Sequence, residues 1–356
     1  MEKIKIGVIG VGVIATAVHI PQIFKSNKYE IVAICDIDIE KLNKVGKELN
    51  IPKEFCFSYY LDLINCERVD VIDICTPNYL HYQMCMESIK VGKKFSVEKP
   101  ITLTKKEAKD IADNAKKKNI NNMVCFSYRF KPAVRYAKDL IESGKIGRIK
   151  HIKMEYSQSW ALELKNTPYY WRFQKEFAGS GALGDLGSHA LDLVRFITGK
   201  EYTYLISDLG TEIKMRKKMG AEDYETVDVD DFCNIIMKME DDIRCSFLIT
   251  RLGYGRGNYQ RLEIYGEKGG IIYRLDVNPD IDDEIFGCFG EEDKYEKLDI
   301  PEKYNITQME ELANIINGNP SGFAATVVDG YINQVLLDGV IESNEKESWI
   351  NCKIAK

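Results

Sequence analysis

One stretch of the chain sets an acid, an imidazole and a second acid at helical intervals: Asp185, His189 and Asp192, between Gly181 and Gly199. Leu186, Ala190, Leu193, Val194 and Ile197 recur at the spacing of a buried helical stripe, so the three polar residues fall along a different face. A carboxylate beside an imidazole suits proton transfer, because histidine titrates near neutral pH and the acid both orients it and stabilises its cation. Oxidising an alcohol needs such a base for the hydroxyl proton while a hydride leaves the same carbon. The same spacing also describes an ordinary ion pair on a helix surface. Two features favour the chemical reading: glycines crowd the helix entrance, where the backbone must approach something closely, and the chain has 4 histidines in all. Ser188 adjoins His189 and would point away from it, which argues against Ser-His-Asp nucleophilic catalysis. No Cys or His partner stands at metal spacing, so no metal site is expected.

Near the start, the apolar run Ile6 to Ile9 enters the turn Gly10-Val11-Gly12-Val13-Ile14-Ala15, followed by a helix-like segment through Phe24. Gly10 permits a tight turn, Gly12 lets backbone N–H groups approach a pyrophosphate, and Ala15 allows close helix-on-strand packing. The helix start, with Val13 and Ile14, would then face the negative charge. The next strand ends at Asp36, close to the roughly 20-residue spacing of a carboxylate that accepts ribose hydroxyls. Asp36 would repel a 2'-phosphate and is followed by Ile37 rather than an arginine, so NAD is favoured over NADP. Two further strand ends point to the same edge of the sheet: Thr76-Pro77-Asn78 with His81 beyond, and Glu98-Lys99-Pro100. Asn78 and His81 fit a helix cap and a core residue as well as they fit a cofactor site. Lys99 would project into the cofactor cleft, where an ammonium could hold developing oxyanion charge.

The elements that must position these residues fall into two patterns. From Met1 to about Ser127, strands (Ile4 to Ile9, Ile31 to Cys35, Val69 to Cys75, Lys94 to Val97, Met123 to Phe126) alternate with helices (Glu40 to Leu49, Tyr79 to Val91, Thr104 to Lys118), the sign of a doubly wound parallel sheet. After a helix from Pro132 to about Ser143, long strands follow without intervening helices: Ile149 to Ser157, Tyr202 to Ile213, Val229 to Met239, Ile243 to Leu252, Gln260 to Tyr265 and Ile271 to Leu275. That run predicts a mostly antiparallel sheet in a second, α+β domain, with tail helices at Ile306 to Ile316 and Ala324 to Glu342. The expected division is residues 1–127 for the Rossmann domain and 128–356 for the second, within the size range of two ordinary cores for 356 residues.

A net charge of -6 without a dense basic block speaks against nucleic acid or anionic lipid as partners. Ten cysteines without a Cys-x-x-Cys pair, several of them inside apolar runs, suit a reducing cytoplasm. Lys3, Lys5, the apolar Ile6 to Val18 and Ala15-Thr16-Ala17 imitate a signal peptide, but cleavage there would delete the first strand. No run approaches the roughly 20 apolar residues of a membrane span.

These motifs together resemble the glucose-fructose oxidoreductase and inositol dehydrogenase family, Gfo/Idh/MocA. The resemblance runs over essentially the whole chain through Gly10 to Ala15, Thr76-Pro77-Asn78 to His81 with one residue fewer than usual, Glu98-Lys99-Pro100, and Gly181 to Asp192. It implies a Rossmann domain joined to a domain whose large open sheet serves in homodimer or homotetramer contacts. It also implies Lys99, Asp185 and His189 as the catalytic set, His189 the base and Asp185 assisting. Arg129 resembles a family position near the substrate, and Tyr156, Trp171 and Arg172 should line the cleft; aromatic faces and arginine forks suit polyols, although all four also fit structural places. The expected activity is hydride transfer between NAD and a hydroxyl carbon of a sugar or cyclitol. An NAD-dependent glycosidase using transient oxidation, and a non-catalytic NAD or sugar-binding regulator, are the alternatives on the same scaffold.

Overall fold

The computed structural model describes residues 2–277 and 281–354. The chain divides into two compact units: the described residues of Met1–Ser127 with Ile306–Tyr331, and those of Tyr128–Asn305 with Ile332–Lys356. The first break coincides with the change of pattern read in the sequence. Residues 306–331, read there as part of the second domain, pack in the first unit. Tyr29 donates to the carbonyl of Met309 at 2.7 Å, and Val124 pairs with Ala325.

Apolar runs too short for helices supply the strands of the first unit: β1 (Ile4–Ile9), β2 (Tyr29–Cys35), β3 (Cys56–Phe57), β4 (Val71–Ile74), β5 (Lys94–Val97) and β6 (Asn122–Val124). All pair in parallel, in the order β3-β2-β1-β4-β5-β6. This is the doubly wound arrangement whose order reverses between β1 and β4. The crossovers are α1 (Ile20–Ser26), α2 (Ile39–Glu48), α3 (Tyr60–Ile64), α4 (Asn78–Lys90) and α5 (Lys105–Lys117). Thr104 caps α5 as read, accepting from the Glu107 N–H at 3.3 Å. The helix expected straight after the glycine turn begins instead as a π-helical segment, Ala15–His19, before α1. The short β3 and α3 have too few residues for periodicity to reveal.

In the second unit α6 (Pro132–Glu142) is followed by β7 (Ile149–Ser157), α7 (Lys175–Ala178) and α8 (Ser188–Thr198), the last ended by Gly199 at φ +64°. Then come β8 (Tyr202–Gly210), β9 (Met215–Lys217), β10 (Tyr224–Thr226), β11 (Phe232–Met239), β12 (Arg244–Thr250), β13 (Tyr259–Gly266), β14 (Gly269–Asp276), β15 (Ile281–Phe289) and β16 (Glu296–Lys297). The chain continues through α9 (Gln308–Ile316), which lies in the first unit, α10 (Val327–Lys346) and β17 (Ile350–Asn351). Nine strands form one sheet in the order β16-β15-β14-β13-β7-β12-β11-β8-β17, antiparallel apart from the β7–β12 pair. Burial alternates along β11 and β12, so one face of this sheet is core and the other carries half-exposed Ile236 and Leu248. The strand read as Tyr202 to Ile213 stops at Gly210, because the next N–H groups, of Glu212 and Ile213, donate to the buried Asp231 carboxylate at 3.0 and 2.9 Å. No described helix is long and apolar enough to cross a membrane.

Candidate active site

The first unit builds a dinucleotide cradle at the end of β1. Gly10 has φ +87°, and a Cβ there would lie 2.8 Å from the Cys75 carbonyl oxygen, so the turn admits glycine alone. A Cβ at Gly12 would meet nothing within 4 Å, which leaves the backbone open to an approaching pyrophosphate. Ala15 is fully buried against the sheet, as its role in close packing requires. At the end of β2, Asp36 Oδ2 accepts from the Val11 N–H at 3.0 Å and Oδ1 from the Asp38 N–H at 2.9 Å. The carboxylate is thereby fixed beside the glycine turn. Val13 and Ile37 stand exposed in water, at 83% and 85%. Open glycine backbone, a helix start and an oriented acid fit the phosphates and ribose of NAD.

The ends of β4 and β5 are tied to each other. His81 is fully buried in α4; its Nδ1 lies 2.8 Å from the Pro100 carbonyl and its Nε2 2.9 Å from the Thr76 carbonyl. Burial holds its pKa below the ordinary histidine value, against the opposing pull of the two carbonyls. Kept neutral, the ring donates to one of the two carbonyls, as a core residue of the structural reading can. Asn78 opens α4 and is buried, with Thr76 and Pro77 half-buried before it. Glu98 and Lys99 follow β5, both half-buried, and the Lys99–Pro100 peptide is cis.

Glu98 leads to a residue that sequence reasoning missed. Its Oε1 meets His19 Nε2 at 2.9 Å, and the other ring nitrogen of His19 meets Asp73 Oδ2 at 2.9 Å. A histidine within an apolar helical stretch was the available signal. Among the described residues, His19, Asp73 and Cys125 also place possible ligand atoms within 4.8 Å of one another. Both nitrogens of His19 face carboxylates, so the ring is engaged in hydrogen bonds on either side.

In the second unit a second π-helical segment, Leu183–Gly187, leads into α8 and carries Asp185. The crowded glycines have a structural explanation. A Cβ at Gly181 would collide with the Asp230 backbone, and the Asp230 carboxylate accepts from the N–H groups of Gly181 and Leu183 at 2.6 and 2.7 Å. What Gly181 approaches is therefore Asp230, whereas Gly187 lies against the Leu183 and Ile249 side chains. Burial raises the Asp230 pKa, and these two N–H groups oppose the rise.

His189, 8% exposed, packs edge-on against the Tyr128 ring with centroids 4.7 Å apart, and the Tyr156 ring lies 6.5 Å away. The two phenol oxygens are 2.7 Å apart; Asn258 donates to Tyr128 Oη at 2.8 Å and Gln158 to Tyr156 Oη at 3.2 Å. Burial raises both phenol pKa values, so both hydroxyls stay protonated at neutral pH. Asp185 Oδ1 accepts from Arg172 Nη1 at 3.0 Å, and the Arg172 guanidinium lies 4.6 Å over the Trp171 ring. Asp192, one helical turn beyond His189, is paired with a different arginine. It is buried and takes two bonds from Arg129, itself 4% exposed. Of the four expected substrate residues, Trp171 and Arg172 stay half-buried, Tyr156 joins the phenol pair beside His189, and Arg129 is buried in the pair with Asp192. Tyr128, Gln158 and Asn258 were not legible as site residues, because nothing in their spacing marks them.

A family described as oxidoreductases with an NAD-binding Rossmann fold matches residues 4–126, and the GFO/IDH/MocA C-terminal domain matches residues 134–272. Levoglucosan dehydrogenase of Pseudarthrobacter phenanthrenivorans is 33% identical, the match covering 83% of each chain. Inositol 2-dehydrogenase/D-chiro-inositol 3-dehydrogenase of Lactiplantibacillus plantarum is 22% identical over 95% of this chain and 90% of its own. A solved structure of levoglucosan dehydrogenase in complex with NADH and L-sorbose is similar at a TM-score of 0.88 and 29% identity, covering 100% of both chains. The cradle and these matches define an NAD-dependent oxidoreductase of the dehydrogenase class. The chain belongs to the GFO/IDH/MocA family.

Proposed function

We propose that this protein oxidises a hydroxyl carbon of a sugar, anhydrosugar or cyclitol, with Lys99, Asp185 and His189 as the catalytic groups. The observation that carries this reading is His189 packed against the hydrogen-bonded phenols of Tyr128 and Tyr156, with Asp185 ion-paired in the turn before it. The names of the relatives, dehydrogenases of levoglucosan and inositol, support the substrate class.

Gly10, Gly12, Val13, Ile14 and Asp36 hold NAD, with Thr76, Pro77, Asn78 and Glu98 at the neighbouring strand ends. When bound, NAD accepts the hydride from the carbon being oxidised. His189 takes the hydroxyl proton, and Asp185 favours the resulting imidazolium. The Lys99 ammonium offsets negative charge as it builds on the oxygen. Trp171 offers an aromatic face and Arg172 a donor fork, both suited to a polyhydroxylated ring.

The test is NADH absorbance with NAD and a panel of levoglucosan, inositols, aldoses and aminosugars, with NADP in parallel. Growth of signal with NAD on one group establishes the reaction and its substrate class. NADH binding with silence across the panel overturns the reading, in favour of glycoside cleavage without net NADH or of a regulator.

A further inference from the structure

His19 is 1% exposed and ends the π-helical segment Ala15–His19, whose widened turn is closed by the Ile20 N–H on the Ala15 carbonyl. Such a turn re-aims the residues that follow, and π turns occur often at functional sites. Its two ring nitrogens meet Asp73 Oδ2 and Glu98 Oε1, both at 2.9 Å. An ionised carboxylate can only accept, so a ring satisfied on both sides donates from both nitrogens and is an imidazolium.

The surroundings complete the arrangement. Asp73, on β4 and fully buried, also takes the Ser96 hydroxyl at 2.7 Å and the Cys75 thiol at 3.5 Å. Burial pushes the Cys75 thiol up to about 12, so it remains a donor. Burial alone would lower the His19 pKa, but the charges of and hydrogen bonds to Asp73 and Cys75 together outweigh it and hold the value well above that of free histidine. The charged or titratable groups around the ring are Asp73 and Cys75 from the β4 end, Glu98 from the β5 end and Cys125 from the β6 end. Glu98 closes the chain: its second oxygen accepts from the backbone N–H of Lys99 at 3.2 Å.

A buried ion cluster is a poor source of stability, since apolar side chains of the same volume often hold a core as well or better. What this one provides is position. We propose that His19 is a positioning residue: an imidazolium anchored on Asp73 that grips Glu98, and through Glu98 fixes the backbone on which Lys99 stands. The inference rests on the catalytic reading of Lys99 given above.

The experiment uses the full-length protein with His19→Gln, Glu98→Gln, the double variant and Lys99→Ala. Steady-state oxidation of the substrate found in the panel, levoglucosan first, is read beside NADH binding by fluorescence. In parallel, ¹⁵N-histidine NMR, with His19 assigned by its loss in His19→Gln, follows its ring nitrogens across pH. The expected result is both nitrogens protonated into the alkaline range in the native protein, and one proton lost at lower pH in Glu98→Gln. His19→Gln, which can donate to one partner but not both, lowers kcat about 10- to 100-fold, the cost of a misplacement near one ångström. In His19→Gln the KM for sugar and the affinity for NADH hold, and the kcat of the double variant is no lower than that of the slower single one. Should His19→Gln fail to fold, Glu98→Gln carries the kinetic test and the native spectrum carries the other. A neutral His19 at neutral pH, additive losses, or unchanged kcat while Lys99→Ala is inactive overturns the proposal alone. Retained turnover in Lys99→Ala overturns the catalytic reading of Lys99 and the proposal with it.

Discussion

Arg129 grips Asp192 with two parallel bonds, Nε to Oδ2 at 2.8 Å and Nη2 to Oδ1 at 2.5 Å, inside the second unit and under the ring of Phe196. Both side chains are nearly enclosed, at 4% exposure each. Removing one partner strands a buried charge, at a typical cost of about 3–5 kcal/mol. Arg129→Ala is therefore expected to lose that much stability in urea denaturation, whereas Arg129→Met with Asp192→Leu recovers most of it. A variant that kept its stability and changed only KM for sugar would instead make Arg129 a substrate contact.

His189→Ala should lower kcat about 10²- to 10⁴-fold, the usual share of a general base, with little change in NADH binding. The effect is read from initial rates of NADH formation beside a fluorescence titration. A loss confined to KM would reassign His189 to substrate binding.

The Asp36 carboxylate is already oriented by two N–H groups beside the glycine turn. Charged hydrogen bonds contribute about 1.5–3 kcal/mol, so Asp36→Ser should weaken NAD by about one to two decades. Adding Ile37→Arg, which places a cation at an exposed position, should raise the affinity for NADP. Comparing kcat/KM for the two cofactors decides the matter.

The buried triad gives a signed pH dependence of stability. The His19 pKa is raised on folding, so its contribution is complete below about 6.5, declines above that, and is gone once pH passes the raised folded value. Burial would raise the Asp73 pKa, but the His19 charge and the hydrogen bonds from His19, Ser96 and Cys75 together lower it, so Asp73 contributes fully above about 3.9 and loses its share as pH falls through the depressed value. Denaturation midpoints should fall from neutral toward alkaline pH in the native protein. In His19→Gln that slope should flatten.

Much of this was legible because it obeys regular periods. Val8 and Ile34 sit in strands marked by β-branched runs, and the Thr104 cap and the Gly199 stop mark helix ends. The π segments were not legible, because a template of 3.6 residues per turn contains no widened turn. In the structure Asp185 pairs with Arg172 and His189 packs on Tyr128. Long-range partners such as Asp230 with Gly181, or His19 with Glu98, leave no mark in local spacing either. Gly181 was visible, but what it approaches, the Asp230 backbone, lies some fifty residues away.

The His81 ring lies between the Thr76 and Pro100 carbonyls inside the first unit, buried where two chain segments would otherwise be loop ends. Their conformational freedom is given up when the protein folds rather than when a ligand arrives. Association then avoids that entropy loss, and the amides flanking Thr76 and Lys99 should exchange with deuterium as slowly in the free protein as in the complex.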